Sequence, residues 1–535
     1  MTNKLFWKAP SKIRPIGIIA SLSAVFLFAA VPARADSPAW MRSAASNPTP
    51  KYSDETKAVL LYDETTIVIK DAGEVRSIHR RVYRILRTSG RDRGMFDVSF
   101  DKDTKILAMK AWSYPSGGGK EYEIKEKDAV ETQLTEGELY SDTRHRTLRI
   151  PAAEPGAVIG YEFEQRERPY ILQNIWWLQS PDPVRQSRFI LQLPPGWRYK
   201  AVWIHHDSVA PQEDGNNQLH WDISDSPAIE DEPEMPPAQS IAGRMVVNYF
   251  PPSGVAGNSM GTWQDVGKWF ASLSNDRKAP SPEIKQKVAE LTSGSADTLM
   301  KLRALTEFVQ KDIRYVAIEI GIGGYQPHPA VSIFTNRYGD CKDKATLLAT
   351  MLHEVGIDPF YVLVNTRRGV ISPEYPPGLN FDHVILAIPI PPDVPVTDLH
   401  AIMTHPQYGK LLFFDPTSTL TPLGYLPSYE QSNYALLSTS DGGDLVEMPL
   451  LPPAANGLRR TAHLVLSVDG SIKGSVEESR DGDLAEDSRA RLLATQGTGR
   501  AKVIESFLGS FMSDFSLTKA TVQNLNAYDL SLIHI

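Results

Sequence analysis

Tyr338-Gly339-Asp340-Cys341-Lys342-Asp343-Lys344-Ala345 is the stretch on which the reading of this 535-residue chain turns. Aspartate is a good helix cap, because its carboxylate accepts the free N–H groups of the first turn. Beyond it Ala345, Leu348, Leu352 and Val355 form an apolar stripe and Gly356 supplies a stop, so a helix begins at Asp340 with Cys341 in its first turn. Upstream, Leu302, Leu305, Val309 and Ile313, with Asp297 near the start, predict an amphipathic helix over roughly 296–313. Downstream, Phe360 to Val364, His383 to Ile388 and Leu411 to Phe414 read as strands that an antiparallel sheet would accommodate. A helix succeeded by such a sheet makes an α+β domain.

Towards the N-terminus, from about Ala58 to Pro236, the period changes to two. Ile159-Gly160-Tyr161-Glu162-Phe163-Glu164 puts apolar and charged side chains on opposite faces after a Pro155-Gly156 turn. Similar runs surround Ile67 to Ile69, Val82 to Leu86 and Phe189 to Leu193, so residues 58–236 are expected to form a β-sandwich. The Pro-, Glu- and Asp-dense stretch Asp225 to Pro237 reads as a linker or final edge, with the domain boundary near 237–262. From Gly457 onward a hairpin is indicated by Leu464 to Val468, Asp469-Gly470 and Ile472 to Val476, followed by helices near 483–494 and 500–512. The last six residues, LSLIHI, match a translated sequencing-library adapter. The C-terminal β-rich domain, 457–535, is therefore expected to be incomplete.

Composition narrows the function. Hydrophobic residues make up 41 % of the chain, enough for two or three domains of ~100 to 200 residues. The net charge of −8, with no basic tail, argues against a nucleic-acid partner. A single cysteine, Cys341, excludes an intrachain disulfide framework, an all-cysteine zinc site and an iron–sulfur cluster, and no cofactor or metal is expected. Lys4, Lys8, Lys12 and Arg14 precede an apolar run from Ile16 to Val31, closed by Ala33-Arg34-Ala35. This is the pattern of a secretory signal peptide over residues 1–35, with a mature chain starting at Asp36 in the periplasm or outside the cell. No later run is of spanning length, so no integral membrane segment is expected after cleavage. The oligomeric state is left open.

A thiol in the first turn of a helix meets unpaired N–H groups and the helix dipole, which favour thiolate. The same position, four residues before Ala345, also suits a small core hydrophobe. A thiol nucleophile needs an imidazole to accept its proton and a third group to orient the ring. His383 opens one apolar strand and Asp415 closes the next, directly before Pro416, so adjacent antiparallel strands would bring the two ends together. Singly, His383 also suits a core position and Asp415 a turn. Asp382 adjoins His383 but points to the other side of the strand. Gly257-Asn258-Ser259-Met260-Gly261 has the spacing of a serine-hydrolase elbow, yet Pro251-Pro252 and Gly254 interrupt the strand such an elbow needs. Gly117-Gly118-Gly119-Lys120 lacks the spacing of a phosphate loop and reads as a hairpin tip, and His205-His206-Asp207 has no H-E-x-x-H context.

Gly339-Asp340-Cys341 opening a helix, His383 after Asp382 on a strand, and Asp415-Pro416-Thr417 ending the next strand together resemble the transglutaminase-like core of the papain-like cysteine enzymes. The resemblance covers about 262–430, and Gly321 to Pro329 is similar to a stretch preceding the cysteine in bacterial members. It implies Cys341 as nucleophile, His383 as base and Asp415 as the orienting acid. Residues 58–236 resemble the exported β-rich "domain of unknown function 3857". Lys342 stands where animal transglutaminases carry an aromatic residue, and no acidic calcium loop of the EF-hand type is present. The Cys341 N–H, with Gln326 or Tyr338, is a candidate donor set for the oxyanion. The expected function is exported acyl transfer through a thioester on Cys341, by hydrolysis or transamidation of a protein or peptide substrate, envelope-associated substrates included. The alternative is a non-catalytic envelope binding or scaffold protein that keeps this fold.

Overall fold

The computed structural model describes residues 37–133, 138–255, 257, 259–295, 297–495, 498–509, 514–525 and 533–534. The expected leader at 1–35 and all of the terminal stretch 530–535 except 533–534 lie outside them. No helix among the described residues is long and apolar enough to cross a membrane.

Period-two alternation builds an eight-stranded sheet in the N-terminal region. Its spatial order is Gln212–Gly215, Gln218–Ser226, Val184–Gln192, Ala58–Asp71, Glu74–Ile85, Val158–Glu167, Thr104–Tyr114 and Tyr122–Lys125. Only the pairing of Ala58–Asp71 with Val184–Gln192 is parallel. Ile67, Ile69, Phe189, Leu191 and Trp221 pack against Trp176, Met245, Val247 and Tyr249 of a three-stranded sheet made by Gln173–Trp177, Arg244–Phe250 and Arg198–Ile204. Leu60, Tyr83, Met109 and Tyr161 pack against Phe96, Val98 and Leu148 of a second three-stranded sheet. The expected sandwich thus has a composite second layer. Its end also differs from the expected 236. Arg244–Phe250 is the central strand of its sheet, so the β-rich region runs to Phe250, and the acidic Pro-rich stretch is a crossing loop rather than a boundary.

The following core contains α1 (Trp263–Ser274), α2 (Pro282–Thr292), α3 (Thr298–Asp312), α4 (Ala330–Asn336) and α5 (Cys341–His353). Its sheet contains β1 (Phe360–Val364), β2 (His383–Pro389), β3 (Ile402–His405), β4 (Gly409–Phe414), β5 (Tyr434–Thr439) and β6 (Gly442–Glu447). The strands run in the order β3-β4-β2-β1-β5-β6, every pair antiparallel. Asp297 caps α3, accepting from Leu299 N at 2.9 Å. Leu302, Leu305 and Val309 of α3, Leu348 and Leu352 of α5, and Val362, Ile385, Leu412 and Phe414 of the sheet close one core. Helix α1 lies flush on the β5–β6 edge because Gly267 has no side chain; a Cβ there would sit 2.4 Å from Gly442 O. The sheet of the core continues past the 430 expected as its limit, because Tyr434–Thr439 and Gly442–Glu447 pair as its last two strands.

Two further links position the site. The backbone of Ala317–Glu319, on the approach to α5, pairs in parallel with Glu138–Ser141 of the β-rich region. After the core, Leu458–Leu466 and Ile472–Arg480 form the expected hairpin, followed by α6 (Gly482–Leu493) and α7 (Thr498–Gly509). Ile533–His534 pairs antiparallel with Ile472–Arg480, so the described residues of the C-terminal segment form a three-stranded sheet with two helices.

Candidate active site

Helix α5 departs from the amphipathic reading, because every residue from Cys341 to Leu352 is buried. A helix buried on all sides must satisfy its polar side chains internally. Asp340 and Asp343 cap it reciprocally: Asp343 N donates to Asp340 Oδ1 at 3.2 Å, and Asp340 N to Asp343 Oδ2 at 3.3 Å. Gly339 is required here, since a Cβ would lie 2.5 Å from Asp343 Cβ. Lys342 pairs with Asp340. Burial pulls the Lys342 ammonium down, but Asp340, Cys341 and Asp343 more than offset this and hold it above its ordinary range. Lys344 Nζ donates to Ile313 O at 2.8 Å and Gln310 O at 3.3 Å, closing the end of α3. Desolvation brings its ammonium to about 8. Thr346 Oγ1 bonds Lys342 O at 2.7 Å and Tyr361 Oη at 2.8 Å. Asp343 accepts from His328 N at 2.7 Å and lies 3.0 Å from its Nδ1, which raises the imidazole pKa.

Cys341 itself is 8 % exposed. The antiparallel register of β2 and β4, Leu386 opposite Phe414, carries His383 alongside the chain just beyond β4. There His383 Nε2 lies 3.1 Å from Asp415 Oδ2. Asp415 Oδ1 accepts from Thr417 N at 2.8 Å and Thr417 Oγ1 at 2.7 Å. Burial alone would raise the Asp415 carboxyl; His383 and Thr417 hold it below its ordinary range. Burial likewise lowers His383, yet Asp415 and the Cys341 thiol beside it keep the imidazolium well above the ordinary range. With Nε2 given to Asp415, Nδ1 is the nitrogen left for the thiol. The structure therefore brings Cys341, His383 and Asp415 together.

The other sequence candidates lie elsewhere or hold other bonds. Asp382 accepts from Thr366 N at 2.7 Å and Thr366 Oγ1 at 2.9 Å, away from the imidazole. Gln326 Nε2 donates to Leu273 O at 3.2 Å, so its amide is engaged by α1 rather than free for an oxyanion. Tyr338 pairs with Arg314 in a two-residue parallel ladder leading into α5. Ser259 Oγ is held by Tyr249 O at 2.8 Å, and His205 and His206 bond Tyr375 and Asp207 separately.

Three groups were not singled out from sequence. Tyr315, paired with Gly339, is 48 % exposed; burial, then Cys341 and Asp340, raise its phenol and keep it a hydroxyl donor next to the thiol. Tyr429, 44 % exposed, is raised by burial and then by Asp415. Glu430 is wholly buried, with Oε1 3.7 Å from His383 Nε2. The latter two lie in an aperiodic loop between β4 and β5, where neither spacing nor composition marks them. His383, Asp415 and Glu430, with ligand atoms within 4.8 Å of one another, are the one grouping among the described residues close enough to weigh as a metal site. The hydrogen bond between His383 Nε2 and Asp415 Oδ2 already engages two of these atoms with each other, and they are not assigned as metal ligands.

Residues 285–391 match the family described as "Transglutaminase-like superfamily", and residues 71–230 match "Domain of Unknown Function with solved-structure structure (DUF3857)". The first match includes Cys341 and His383 and ends before Asp415. The chain therefore carries a transglutaminase-like domain preceded by a DUF3857 domain. A candidate protease from Parabacteroides distasonis shares the fold, at 14 % identity, TM-score 0.54, covering 77 % of this chain and 78 % of that one. A candidate cysteine protease from Cytophaga hutchinsonii matches at 11 % identity over 76 % of this chain and 88 % of that one, TM-score 0.19. A zinc metallopeptidase from Deinococcus radiodurans matches at 8 % identity over 37 % and 44 % of the two chains, TM-score 0.19. No curated protein matches.

Proposed function

We propose that this protein is an exported thiol acyl-transfer enzyme in which Cys341 attacks a carboxamide or peptide carbonyl. The observation that carries the reading is the 3.1 Å bond between His383 Nε2 and Asp415 Oδ2, which leaves Nδ1 for a thiol at the first turn of a helix. Nδ1 takes the thiol proton and returns it to the leaving amine as the tetrahedral adduct collapses to a thioester. Asp415 holds the ring and stabilises its charged form. The backbone N–H of Cys341 is the first donor for the oxyanion, and the Tyr315 phenol, on the strand paired with Gly339, is the candidate for the second. Water or an amine then releases the acyl group. The substrate is a protein or peptide, and the envelope is where a chain with the leader read at 1–35 would meet it, in the periplasm or outside the cell.

The 8 % exposure of Cys341 favours the alternative, a non-catalytic binding or scaffold protein. Alkylation separates the two. An activated thiol reacts rapidly with iodoacetamide at about pH 6, and Cys341→Ala abolishes both alkylation and turnover. A cysteine that reacts only as slowly as a free thiol at that pH would select the scaffold reading. Export is tested by mass spectrometry of the exported protein, where a peptide from the Met1 segment would contradict cleavage after Ala35.

A further inference from the structure

Glu430 is a carboxyl group with 0 % exposure, and neither of its oxygens has a hydrogen-bond partner. Its close polar neighbours are His383 Nε2, 3.7 Å from Oε1, and the Asp415 carboxylate. The Nε2 proton is already given to Asp415. Two carboxyls that face one another without a donor between them are stable in a buried site only when one holds a proton. Asp415 accepts from Thr417 N, Thr417 Oγ1 and His383, which marks it as the ionised member. Glu430 accepts nothing, which marks it as the acid.

We propose that Glu430 is a positioning residue for His383, acting as a neutral carboxylic acid whose O–H donates to Asp415. The proposal rests on the thiol-enzyme reading above. Its effect is to add one donor to those that Asp415 already accepts from Thr417 and His383, so that the carboxylate charge is shared with Glu430 and the imidazolium is supported by one negative charge rather than two. The surroundings agree. The groups facing this pair are His383 from β2, Cys341 and Lys344 from α5, Tyr315 from the strand before α5, Tyr429 from the adjoining loop and Glu486 from α6. The Glu486 carboxylate, bonded by Ser418 Oγ at 3.2 Å and Thr421 Oγ1 at 2.5 Å, adds a further negative field against ionisation of Glu430. Burial, then Asp415, pushes the Glu430 carboxyl well above its ordinary range.

The test is the pH profile of Cys341 alkylation by iodoacetate. Its alkaline limb follows loss of the His383 proton, because the imidazolium attracts the anionic reagent. Glu430→Leu removes the donor, leaves the Asp415 charge undivided, and should move that limb up by about one pH unit. Glu430→Gln keeps a donor, the amide N–H, and should restore the limb to within about 0.3 unit of wild type. A limb that falls by a unit or more in Glu430→Gln would mean that the native residue carries charge, and the proposal fails. Identical limbs in wild type and Glu430→Leu would make the residue merely structural, and the proposal fails equally. A wild-type protein with no reactive limb sinks the thiol-enzyme reading instead. In that case, or if the variants do not fold, the infrared spectrum of the wild-type protein at pH 8 decides: a protonated-carboxyl band supports the proposal and its absence overturns it.

Discussion

At the residue scale, Asp415 and Asp382 form a natural pair of controls. Both carboxylates lie close to His383 in the chain or the fold, but only Asp415 bonds its Nε2. Asp415→Asn keeps the shape while losing the charge and inviting the wrong tautomer, so kcat/KM should fall by about 10³- to 10⁴-fold. Asp382→Asn, which weakens only a tie to Thr366, should cost less than about tenfold. Steady-state rates on any peptide or amide substrate check the order, and a reversal would reassign the third member. Cys341, His383 and Asp415 could be singled out in sequence because each stands at an element boundary: the first residue after a helix cap, a strand start and the residue that closes a strand. Glu430 and Tyr315 could not. Glu430 owes its place to burial in a loop and Tyr315 to a short ladder beside Gly339, and no local pattern encodes either.

At the element scale, α5 displays what periodicity misses. Ala345, Leu348 and Leu352 announced the helix, but an apolar stripe marks one face only, and the structure buries the lysines at 342 and 344 as well. Asp340→Asn retains the cap, since Asn caps as well as Asp, and removes the partner of a buried ammonium. Unfolding in urea should show a loss of about 3 kcal/mol, largely recovered when Lys342→Met is added; a loss below about 1 kcal/mol would mean the pair is not coupled. Lys344 gives a pH signature. It is fully buried and titrates at about 8, against 10.5 when unfolded. Between those values the unfolded chain binds the extra proton, so stability rises with pH across the window, by up to about 3 kcal/mol, and the full cost stands below pH 8. Lys344→Met should lack that rise. Comparing denaturation free energies of the two proteins from pH 7.5 to 10.5 isolates the slope, and parallel curves would refute it.

At the scale of the whole molecule, the structure carries the β-rich region to Phe250, within the 237–262 interval read for the boundary. Proline and acidic residues at 225–237 look like a linker, yet the chain crosses there and returns to the same sandwich with Arg244–Phe250. The two regions are also bonded through Gln173 Nε2 to Pro377 O at 2.6 Å and Arg367 Nη1 to Gln239 Oε1 at 2.8 Å. A fragment spanning 262–455 should accordingly melt at least about 5 °C below one spanning 37–455, as followed by circular dichroism; equal melting temperatures would make the regions independent. The parallel ladder between Ala317–Glu319 and Glu138–Ser141 bears on how the chain is made. During synthesis the β-rich region leaves the ribosome first and offers a finished template. The approach to the cysteine helix can then dock as it emerges, before the strands bearing His383 and Asp415 exist. In chain order the thiol therefore comes first, His383 and Asp415 follow with β2 and the end of β4, and β5 and β6 close the sheet last.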